Sequence, residues 1–549
     1  MDRAITGAVR RKRQRTGALQ DASRTTQSDE PPKVLECGSP LPLFRPDLPS
    51  VLVLLTVAML LWPVANFGAA ESRRPNVIFI LADDLGYGDI GCFGQKKIRT
   101  PNLDRMAAEG MKFTQHYAGN AVCAPSRCVL MTGKHPGHAW VRDNREVKPE
   151  GQPPIPADSV TIAKLLKEQG YATAAIGKWG LGFPGSEGDP LKQGFERFFG
   201  YNCQRHAHNH YPTYLWDNDR RLQLPNPEFS AHQKLPEDAD PNLPIAYERY
   251  HGKVYAPDLL REQALAFIRQ NRTKPFFLYF ATTIPHLALQ VPEDSAREYR
   301  GKWPDPPYTG DRNYLPHYTP RAAYAAMVTR MDGDIGELWE LVRELGLDQN
   351  TIFIFTSDNG PLYNRLGGTD CDFFQSAGAL RGRKGSLYEG GIRVPLIVRW
   401  AGHIAARSIS DRVTGFEDWL PTLMELVGAK APARIDGISF APTLLGKTQK
   451  ARPFLYREFP SYGGQQMIRI GDWKGVRQGL IAKGKQEHAP ENGLRLQLYN
   501  LHDDPSETKD VASERRDVVA QMEKTMRQEH QPSSLFPIAA LDPKSKTED

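Results

Sequence analysis

The chain has 549 residues, and its 70 Lys and Arg residues against 64 Asp and Glu residues give a net charge of +6. With 40% hydrophobic and 24% charged residues, the composition is globular, which excludes wholesale disorder, a collagenous repeat and a polytopic membrane protein. The positive charge is concentrated at the start of the chain, where residues 1–16 hold six cations and one anion. Nothing beyond this tail favours nucleic-acid binding, and we expect no nucleic-acid partner.

The N-terminal segment is typical of an export signal. Val51–Ala65 is an apolar run of 15 residues, shorter than the roughly 20 that a membrane span needs, and the small residues Gly68, Ala69 and Ala70 follow it. We expect cleavage before Glu71 and an exported protein, whether periplasmic, extracellular or lumenal. The basic region before the run is unusually long, so two alternatives stay open: a start codon further downstream, or an uncleaved segment that anchors the chain in a membrane.

Beyond residue 72, short apolar segments alternate with amphipathic ones. The apolar segments predict strands over Asn76–Ala82, Tyr171–Ile176, Pro275–Ala281, Thr351–Thr356 and Val394–Arg399. The amphipathic segments predict helices over Asn102–Gly110, Thr161–Gly170, Leu259–Gln270 and Ala322–Glu344. This alternation predicts an α/β fold, with a large mixed, mostly parallel sheet sandwiched by helices.

The pattern changes after about residue 445. Met467–Arg477 and Leu494–Asn500 are typical of antiparallel strands, and Ser513–His530 of a helix with one polar face. We therefore divide the chain into a basic tail with a signal peptide or anchor over residues 1–70, a large α/β domain over 72–445, and a small α+β domain over 446–549. Six cysteines in a chain of this length indicate neither a disulfide framework nor structural zinc.

Two polar pairs directly follow apolar strands. Asp83 and Asp84 come after the first strand, and Asp358 and Asn359 come after the strand at Thr351–Thr356. Ligands in open α/β sheets collect at the carboxyl ends of strands, so neighbouring strands would bring these oxygens together. Such a set suits Ca²⁺ or Mg²⁺. Taken singly, each pair could equally cap a loop or a helix.

A run of short motifs links the chain to a known family. Cys123-Ala124-Pro125-Ser126-Arg127, continuing through Leu130-Met131-Thr132-Gly133, resembles the C-x-P-S-R signature of the formylglycine-dependent, arylsulfatase-like sulfatases of the alkaline phosphatase superfamily. Other segments resemble further family elements, in family order: Asn76–Gly94, Thr100–Asp104, Gly177–Trp179, Pro285-His286, Thr356–Gly360, Arg381–Gly385, Glu389–Gly391 and Tyr499–Glu507. The matches extend over about Arg74–Ala512, so the chain is identified as a member of the sulfatase family, with 72–445 as its sulfatase domain.

The resemblance implies hydrolysis of a sulfate monoester, either an aryl sulfate or a sulfated carbohydrate. It implies that a formylglycine-generating enzyme, or an anaerobic sulfatase-maturating enzyme, converts Cys123 to formylglycine (3-oxoalanine). One hydroxyl of the hydrated aldehyde would take the sulfuryl group by transesterification, and the other would then expel sulfate. This chemistry needs a nucleophile at sulfur, neutralised sulfuryl oxygens and a protonated leaving oxygen.

The family pattern also implies roles for individual residues. The implied ligands of a Ca²⁺ ion, with Mg²⁺ as the alternative, are Asp83, Asp84, Cys123, Asp358 and Asn359. Arg127 is implied to hold the diol, Lys178 and Lys384 to clamp the sulfate, and His286 to protonate the leaving alcohol.

One departure concerns the element G-K-W-H, which here reads Gly177-Lys178-Trp179-Gly180 and lacks its histidine. We hypothesise that His208 or His206, in the nearby Gln204–His210 segment, supplies the missing imidazole, and that Gln204 and His206 contact substrate. The alternative is a surface histidine cluster or adventitious metal binding; a zinc site has no other ligand set to support it.

Other functions stay open from the residues alone. A phosphonate or phosphate ester hydrolase of the same superfamily would use similar groups, and a binding protein on the same scaffold would not need them. Aromatic residues in Asn202–Asp217 and Val291–Pro320 could stack on a sugar ring or pack within their own loops.

Overall fold

The computed structural model of the protein describes residues 74–481 and 494–542. The expected tail and signal segment over residues 1–70, with the apolar run Val51–Ala65, lie outside the described residues. Within the described part of the chain, no helix is long and apolar enough to cross a membrane. The cysteines in that part, Cys92, Cys123, Cys128, Cys203 and Cys371, are all free thiols.

Two sheets organise the described residues. The strands of the large sheet are β1 Asn76–Ala82, β2 Met111–Tyr117, β3 Ala172–Lys178, β4 Arg197–Tyr201, β5 Tyr214–Asp217, β6 Arg220–Gln223, β7 Phe276–Ala281, β8 Thr351–Ser357, β9 Arg393–Arg399, β10 Ser408–Ser410 and β11 Thr414–Gly415. The strands of the small sheet are β12 Leu455–Phe459, β13 Gln465–Ile470, β14 Trp473–Gln478 and β15 Gln497–Asn500.

The α-helices lie mostly between strands of the large sheet. They are α1 Pro101–Glu109, α2 Cys123–Thr132, α3 Ile162–Glu168, α4 Ala256–Gln270, α5 Glu293–Ala296, α6 Pro320–Glu344, α7 Cys371–Phe374, α8 Glu389–Ile392, α9 Trp419–Leu426, α10 Ala441–Leu444 and α11 Arg516–Glu529.

The large sheet runs in the order β10-β2-β9-β8-β1-β7-β3-β4-β5-β6, with β11 also paired to β2. Its centre, from β8 to β4, is parallel, whereas β9 is antiparallel to both β8 and β2. Central strands are apolar on both faces because helices cover both faces. In β1, Ile78 and Ile80 enter one core, while Val77 and Phe79 enter the other. The predicted α/β sheet is therefore confirmed.

The C-terminal region forms a separate four-stranded antiparallel sheet in the order β12-β13-β14-β15, as predicted. The predicted segment Met467–Arg477 is a hairpin of two strands that turns at Gly471 and Asp472. Helix α11 packs on this sheet through Met522 and Met526. The boundary at residue 445 stays a prediction.

A buried ion network joins the small sheet to the large one. Lys474 on β14 lies 2.9 Å from the carboxylates of Glu389 in α8 and Glu507 after β15. Gln465 on β13 donates to the Gly385 carbonyl oxygen at 2.7 Å. These contacts hold the basic loop before α8 against the small sheet.

Candidate active site at the carboxyl edge of the sheet

Strand pairing brings the two predicted acidic pairs together. Ala82, the last residue of β1, pairs with Ser357, the last residue of β8, and the Asp358 amide donates to the Ala82 carbonyl oxygen at 3.0 Å. Asp84 has a left-handed backbone (φ 64°), and its amide donates to Asp358 Oδ1 at 3.1 Å. Strained backbone of this kind recurs at functional sites. Both pairs are fully buried at one edge of the sheet.

Cys123 is the first residue of α2, whose residues are all buried. Because Cys128, Leu130 and Met131 pack into the core beneath, the start of this helix is held firmly at the sheet edge. Cys123 Sγ lies 3.3 Å from Asp83 Oδ1.

Two lysines approach Cys123 from different parts of the chain. Lys178, at the end of β3, places Nζ 2.6 Å from Asp83 Oδ2 and 3.4 Å from Cys123 Sγ. Lys384, in the basic loop, places Nζ 2.8 Å from the Asp84 carboxylate and 3.6 Å from the same sulfur. The structure thus brings both predicted sulfate-clamping cations to Cys123.

Arg127, one helical turn after Cys123, is fully buried. Its guanidinium donates to Asp358 Oδ2 from Nε at 3.1 Å and from Nη2 at 2.8 Å, and Nη1 donates to the Lys178 carbonyl oxygen. A paired, charge-assisted contact of this kind fixes both side chains. Arg127 therefore orients Asp358 and the end of β3 directly; a contact with a hydrated residue 123 stays a prediction.

His286 follows β7 and completes the group. Its Nδ1 donates to the Leu287 carbonyl oxygen at 2.6 Å, so the neutral ring presents Nε2 as an acceptor. Nε2 lies 3.2 Å from Lys384 Nζ and 3.3 Å from Asp84 Oδ2. His286 and Lys384 are thus one hydrogen-bonded pair beside Cys123.

Burial and neighbouring charges set the protonation states of the groups in the site. Burial raises the pKa of Asp83, but Lys178, His286 and Arg127 outweigh it and hold that pKa well below its usual range. Burial raises the pKa of Asp358 to about 6, and the charge of Asp83 adds to this effect. Burial disfavours the charged form of His286 as well, and for an imidazole this lowers the pKa, to about 4.

The Cys123 thiol is a poor nucleophile in this setting. Burial raises its pKa, and the nearby Asp358 and Asp83 carboxylates raise it further, so the thiolate is disfavoured. Since the thiolate is the reactive form of cysteine, the unmodified side chain is unsuited to attack.

The donor set fits a hard divalent cation. Donor atoms of Asp83, Asp84, Cys123 and His286 all lie within 4.8 Å of one another. Asn359 Nδ2 donates to Asp84 Oδ1 at 2.7 Å, which leaves Asn359 Oδ1 buried and without a partner among the described residues. A buried amide oxygen beside crowded carboxylates is a ligand arrangement that Ca²⁺ and Mg²⁺ favour.

Gln204 occupies the space above Gly180, where the family's histidine is missing. A Cβ atom at position 180 would lie 1.9 Å from Gln204 Nε2. Gln204 is 5% exposed, and both of its amide atoms lack a hydrogen-bond partner among the described residues. The glycine therefore makes room for an amide that has unused hydrogen-bonding capacity.

The two histidines predicted to replace the missing one lie in different surroundings. His208 stacks on His286, with ring centroids 4.7 Å apart and planes 12° apart. Burial lowers the pKa of His208 well below its usual range, and His286 adds to this effect. His206 instead packs at a tilt against Tyr214, lies 3.5 Å from Glu150 and lines a cavity of about 350 Å³. Of the two, His208 is the one beside the Cys123 cluster.

Sequence reasoning missed three residues that surround this histidine pair. They come from two long connections: His232 and Tyr314 contact His208, and Asn313 contacts His232. Asn313 and Tyr314 fall within the Val291–Pro320 segment, but no motif singles out either residue, and none points to His232.

Comparisons with known proteins agree with the fold and identify the family. The family model for sulfatases matches residues 75–429, and the model for the C-terminal region of N-sulphoglucosamine sulphohydrolase matches residues 383–532. The chain is 35% identical to arylsulfatase A of Homo sapiens over 422 residues, which cover 74% of this chain and 75% of that protein. It is 30% identical to N-acetylgalactosamine-6-sulfatase of Canis lupus familiaris over 485 residues, which cover 82% and 84%.

Solved structures have the same architecture. The crystal structure of Ps i-CgsB in complex with k-i-k-neocarrahexaose has a TM-score of 0.66 at 26% identity, covering 85% of this chain and 95% of that one. A Bacteroides thetaiotaomicron protein described in the metabolism of multiple glycosaminoglycans has a TM-score of 0.65 at 27% identity, covering 83% and 99%. The chain belongs to the sulfatase family and is a sulfuric ester hydrolase.

Proposed function

We propose that the protein hydrolyses the sulfate ester of a sulfated carbohydrate, with residue 123 acting as a hydrated formylglycine beside a divalent cation. One observation carries the proposal: Cys123 lies fully buried among Asp83, Lys178 and Lys384, in a setting that disfavours its thiolate. A thiol placed there is a poor nucleophile, whereas the two hydroxyls of an oxidised and hydrated residue would contact Lys178 and Lys384.

The side chains around residue 123 have different roles in the reaction. Lys178 and Lys384 donate to the sulfuryl oxygens and stabilise the negative charge that develops on them. Arg127 holds Asp358 in place from behind. One hydroxyl of the hydrated residue 123 takes the sulfuryl group, and the other expels sulfate and restores the aldehyde.

Protonation of the leaving oxygen is assigned to the His286–Lys384 pair. His286 Nε2 lies 3.2 Å from Lys384 Nζ, so the two nitrogens would hold the leaving oxygen between them, with His286 passing it a proton while the Lys384 ammonium keeps its charge. Loss of either partner would therefore slow departure of the alcohol.

The cation would be held by Asp83, Asp84, Asp358 and Asn359, with residue 123 as a further ligand. When bound, a divalent cation neutralises charge on the sulfate and lowers the pKa of a nearby hydroxyl. We propose Ca²⁺, with Mg²⁺ as the alternative. The support is the convergence of the Asp83 and Asp84 carboxylate oxygens and the unpartnered Asn359 Oδ1.

A sulfated sugar is favoured over a simple aryl sulfate as the natural substrate. The relatives include a protein named for N-acetylgalactosamine 6-sulfate, and a solved neighbour binds neocarrahexaose. The cavity that His206 lines also includes Tyr214 and Arg221, an aromatic and a charged side chain of the kind that sugar sites use.

The modification also requires a partner and a compartment. We propose that a formylglycine-generating or anaerobic sulfatase-maturating enzyme oxidises Cys123, and that the chain is exported. The apolar run over Val51–Ala65 and the small residues after it support export.

Mass spectrometry of the peptide containing residue 123, from protein made in its native host, tests the central claim. We expect an aldehyde in place of the thiol. A fully unmodified cysteine in protein that hydrolyses sulfate esters would overturn the proposal. A comparison of kcat/KM on p-nitrophenyl sulfate and p-nitrophenyl phosphate then separates a sulfatase from a phosphate ester hydrolase, and sulfated sugars with their desulfated forms test the substrate class.

A further inference from the structure

A row of histidines leads away from the Cys123 site. His208 stacks on His286, and His208 Nδ1 lies 2.9 Å from Nε2 of His232. His232 Nδ1 in turn lies 2.6 Å from Oδ1 of the exposed residue Asn313. The row therefore connects the buried catalytic edge to the protein surface through one ring stack, between His286 and His208, and two hydrogen bonds beyond it.

The direction of each hydrogen bond follows from one backbone amide. The Tyr314 N–H donates to Asn313 Oδ1 at 3.0 Å, so the atom facing this amide must be the acceptor oxygen and not the NH₂ group. The same oxygen can only accept from His232, which places a proton on His232 Nδ1. In a neutral ring, His232 Nε2 is then an acceptor, and His208 Nδ1 must carry the proton that it receives.

The consequence for His208 is a single tautomer. With its proton on Nδ1, a neutral His208 has a free lone pair on Nε2. Burial lowers the pKa of His208 well below its usual range, so the uncharged form prevails at neutral pH and above. The position of the row beside His286 puts that tautomer next to the groups that would handle protons in the reaction.

Backbone strain marks the end of the row. Asn313 and Tyr314 are consecutive non-glycine residues in the left-handed region, with φ of 65° and 63°. This turn presents Asn313 Oδ1 to His232 and packs the Tyr314 ring against His208 and His232, at centroid distances of 5.2 Å and 4.7 Å. Strain of this kind persists only where the surroundings enforce it, and it is enriched at functional sites.

We propose that His232 and Asn313 are positioning residues, which hold His208 in its Nδ1–H form so that Nε2 can accept a proton during sulfate release. The inference rests on the proposed function, and it goes beyond it by naming the residues that set the state of His208. It also accounts for the histidine that is missing at Gly180: Gln204 fills the space, and His208 supplies the base.

Variants of His232 test the hydrogen-bond polarity. His232→Phe keeps a ring but offers no acceptor, so we expect kcat on a sulfate ester at pH 8 to fall about 10²-fold, with KM within about three-fold. His232→Gln can accept through Oε1 and donate through its NH₂ group, so we expect it to recover most of the activity. His251→Phe removes a half-buried imidazole outside the row and serves as the matched control, with unchanged kcat.

A second readout does not depend on activity. In full-length protein with ¹⁵N-labelled histidine, the His208 signals, assigned by their absence in His208→Ala, should show an unprotonated Nε2. In His232→Phe we expect the Nδ1–H and Nε2–H forms to mix, whereas His232→Gln should restore the Nδ1–H form.

The two readouts separate the possible failures. If His208 has the expected tautomer and His232→Phe leaves kcat unchanged, the positioning role is wrong and the proposed function survives. An Nε2-protonated His208 in the wild-type protein would overturn the inference outright. If His232→Phe loses activity and His232→Gln does not recover it, the role is structural and the inference fails. Hydrolysis of sulfate esters by wild-type protein whose Cys123 is unmodified would instead overturn the proposed function itself.

Discussion

The Cys123 site and a second cluster at His135 use the same residue types in different ways. At the second cluster, His135 Nε2 lies 2.9 Å from Glu529 at the end of α11, and His138 Nδ1 lies 2.9 Å from Asp436. The Gly137 amide donates to His135 Nδ1 at 3.2 Å, so both ring nitrogens of His135 already have partners. This cluster joins the loop after α2 to the C-terminal helix.

The Cys123 site is arranged differently, because its carboxylates converge on one point. Asp83, Asp84 and Asp358 are fully buried, cations approach from three sides, and one amide oxygen has no partner among the described residues. The side chains of His138, Asp436 and Glu529 are each 21% exposed, so solvent screens their charges. The presence of histidines and carboxylates therefore does not distinguish a reactive site from a cluster that only joins two segments. The burial of the carboxylates and their convergence on one point do.

The largest expected effect comes from residue 123. Cys123→Ala removes the proposed nucleophile, so we expect sulfate ester hydrolysis to fall by about 10³-fold or more, measured as kcat. Cys128→Ala is the matched control, because Cys128 is another buried thiol of α2 that packs only in the core. Retained activity in Cys123→Ala would contradict the proposed mechanism.

The dependence of activity on a divalent cation should be the second largest effect, and it should distinguish the two clusters. We expect chelator treatment to abolish activity and added Ca²⁺ or Mg²⁺ to restore it. Asn359→Ala removes the unpartnered oxygen and should raise the cation concentration for half-maximal activity by about 10-fold or more. Glu529→Gln, at the second cluster, should leave the titration unchanged; a shift in that variant would mean that the second cluster also binds the cation.

Stability should respond to Lys178 more than to exposed lysines. Lys178→Met leaves the buried Asp83 carboxylate without its 2.6 Å partner, and we expect the free energy of unfolding to fall by about 3 kcal/mol. Lys302→Met, which removes a half-exposed partner of Glu298, should change it by less than about 0.5 kcal/mol. Urea unfolding of both variants measures the difference, and equal losses would refute the assignment of Asp83 to a desolvated site.

The smallest expected effect lies in the second cluster and depends on pH. Burial raises the pKa of Asp436, but the hydrogen bond from His138 and the charge of His135 outweigh it, so its pKa is below the ordinary 3.8. A lowered carboxyl pKa adds stability above the unfolded value, and this is lost as pH falls through the folded value. Asp436→Asn should therefore cost about 1 kcal/mol at pH 7 and progressively less below about pH 4, without changing kcat. A loss that stays constant with pH would show that the charge of Asp436 contributes nothing.

Local pattern was enough to predict the strands that carry the site. Asn76–Ala82 was predicted to the residue, and the strand at Thr351–Thr356 extends by one residue to Ser357, because both are continuous apolar runs buried on two faces. Strand β2 was missed because Met111–Tyr117 mixes polar residues with apolar ones, as suits a strand with partly exposed positions. Strands β4 to β6 were also missed, since they are short and β6 is exposed along its whole length.

The sequence by itself determined the family, the class of fold and the residues that converge at Cys123, because these depend on short motifs placed at the ends of apolar strands. Tertiary structure alone decided which residue fills the space at Gly180 and which histidine lies beside His286. Gln204 and His208 belong to the same short segment, yet their surroundings are set by packing against distant loops. The tautomer of His208 depends on the amide of Tyr314, and such long-range hydrogen bonds leave no signature in spacing or composition.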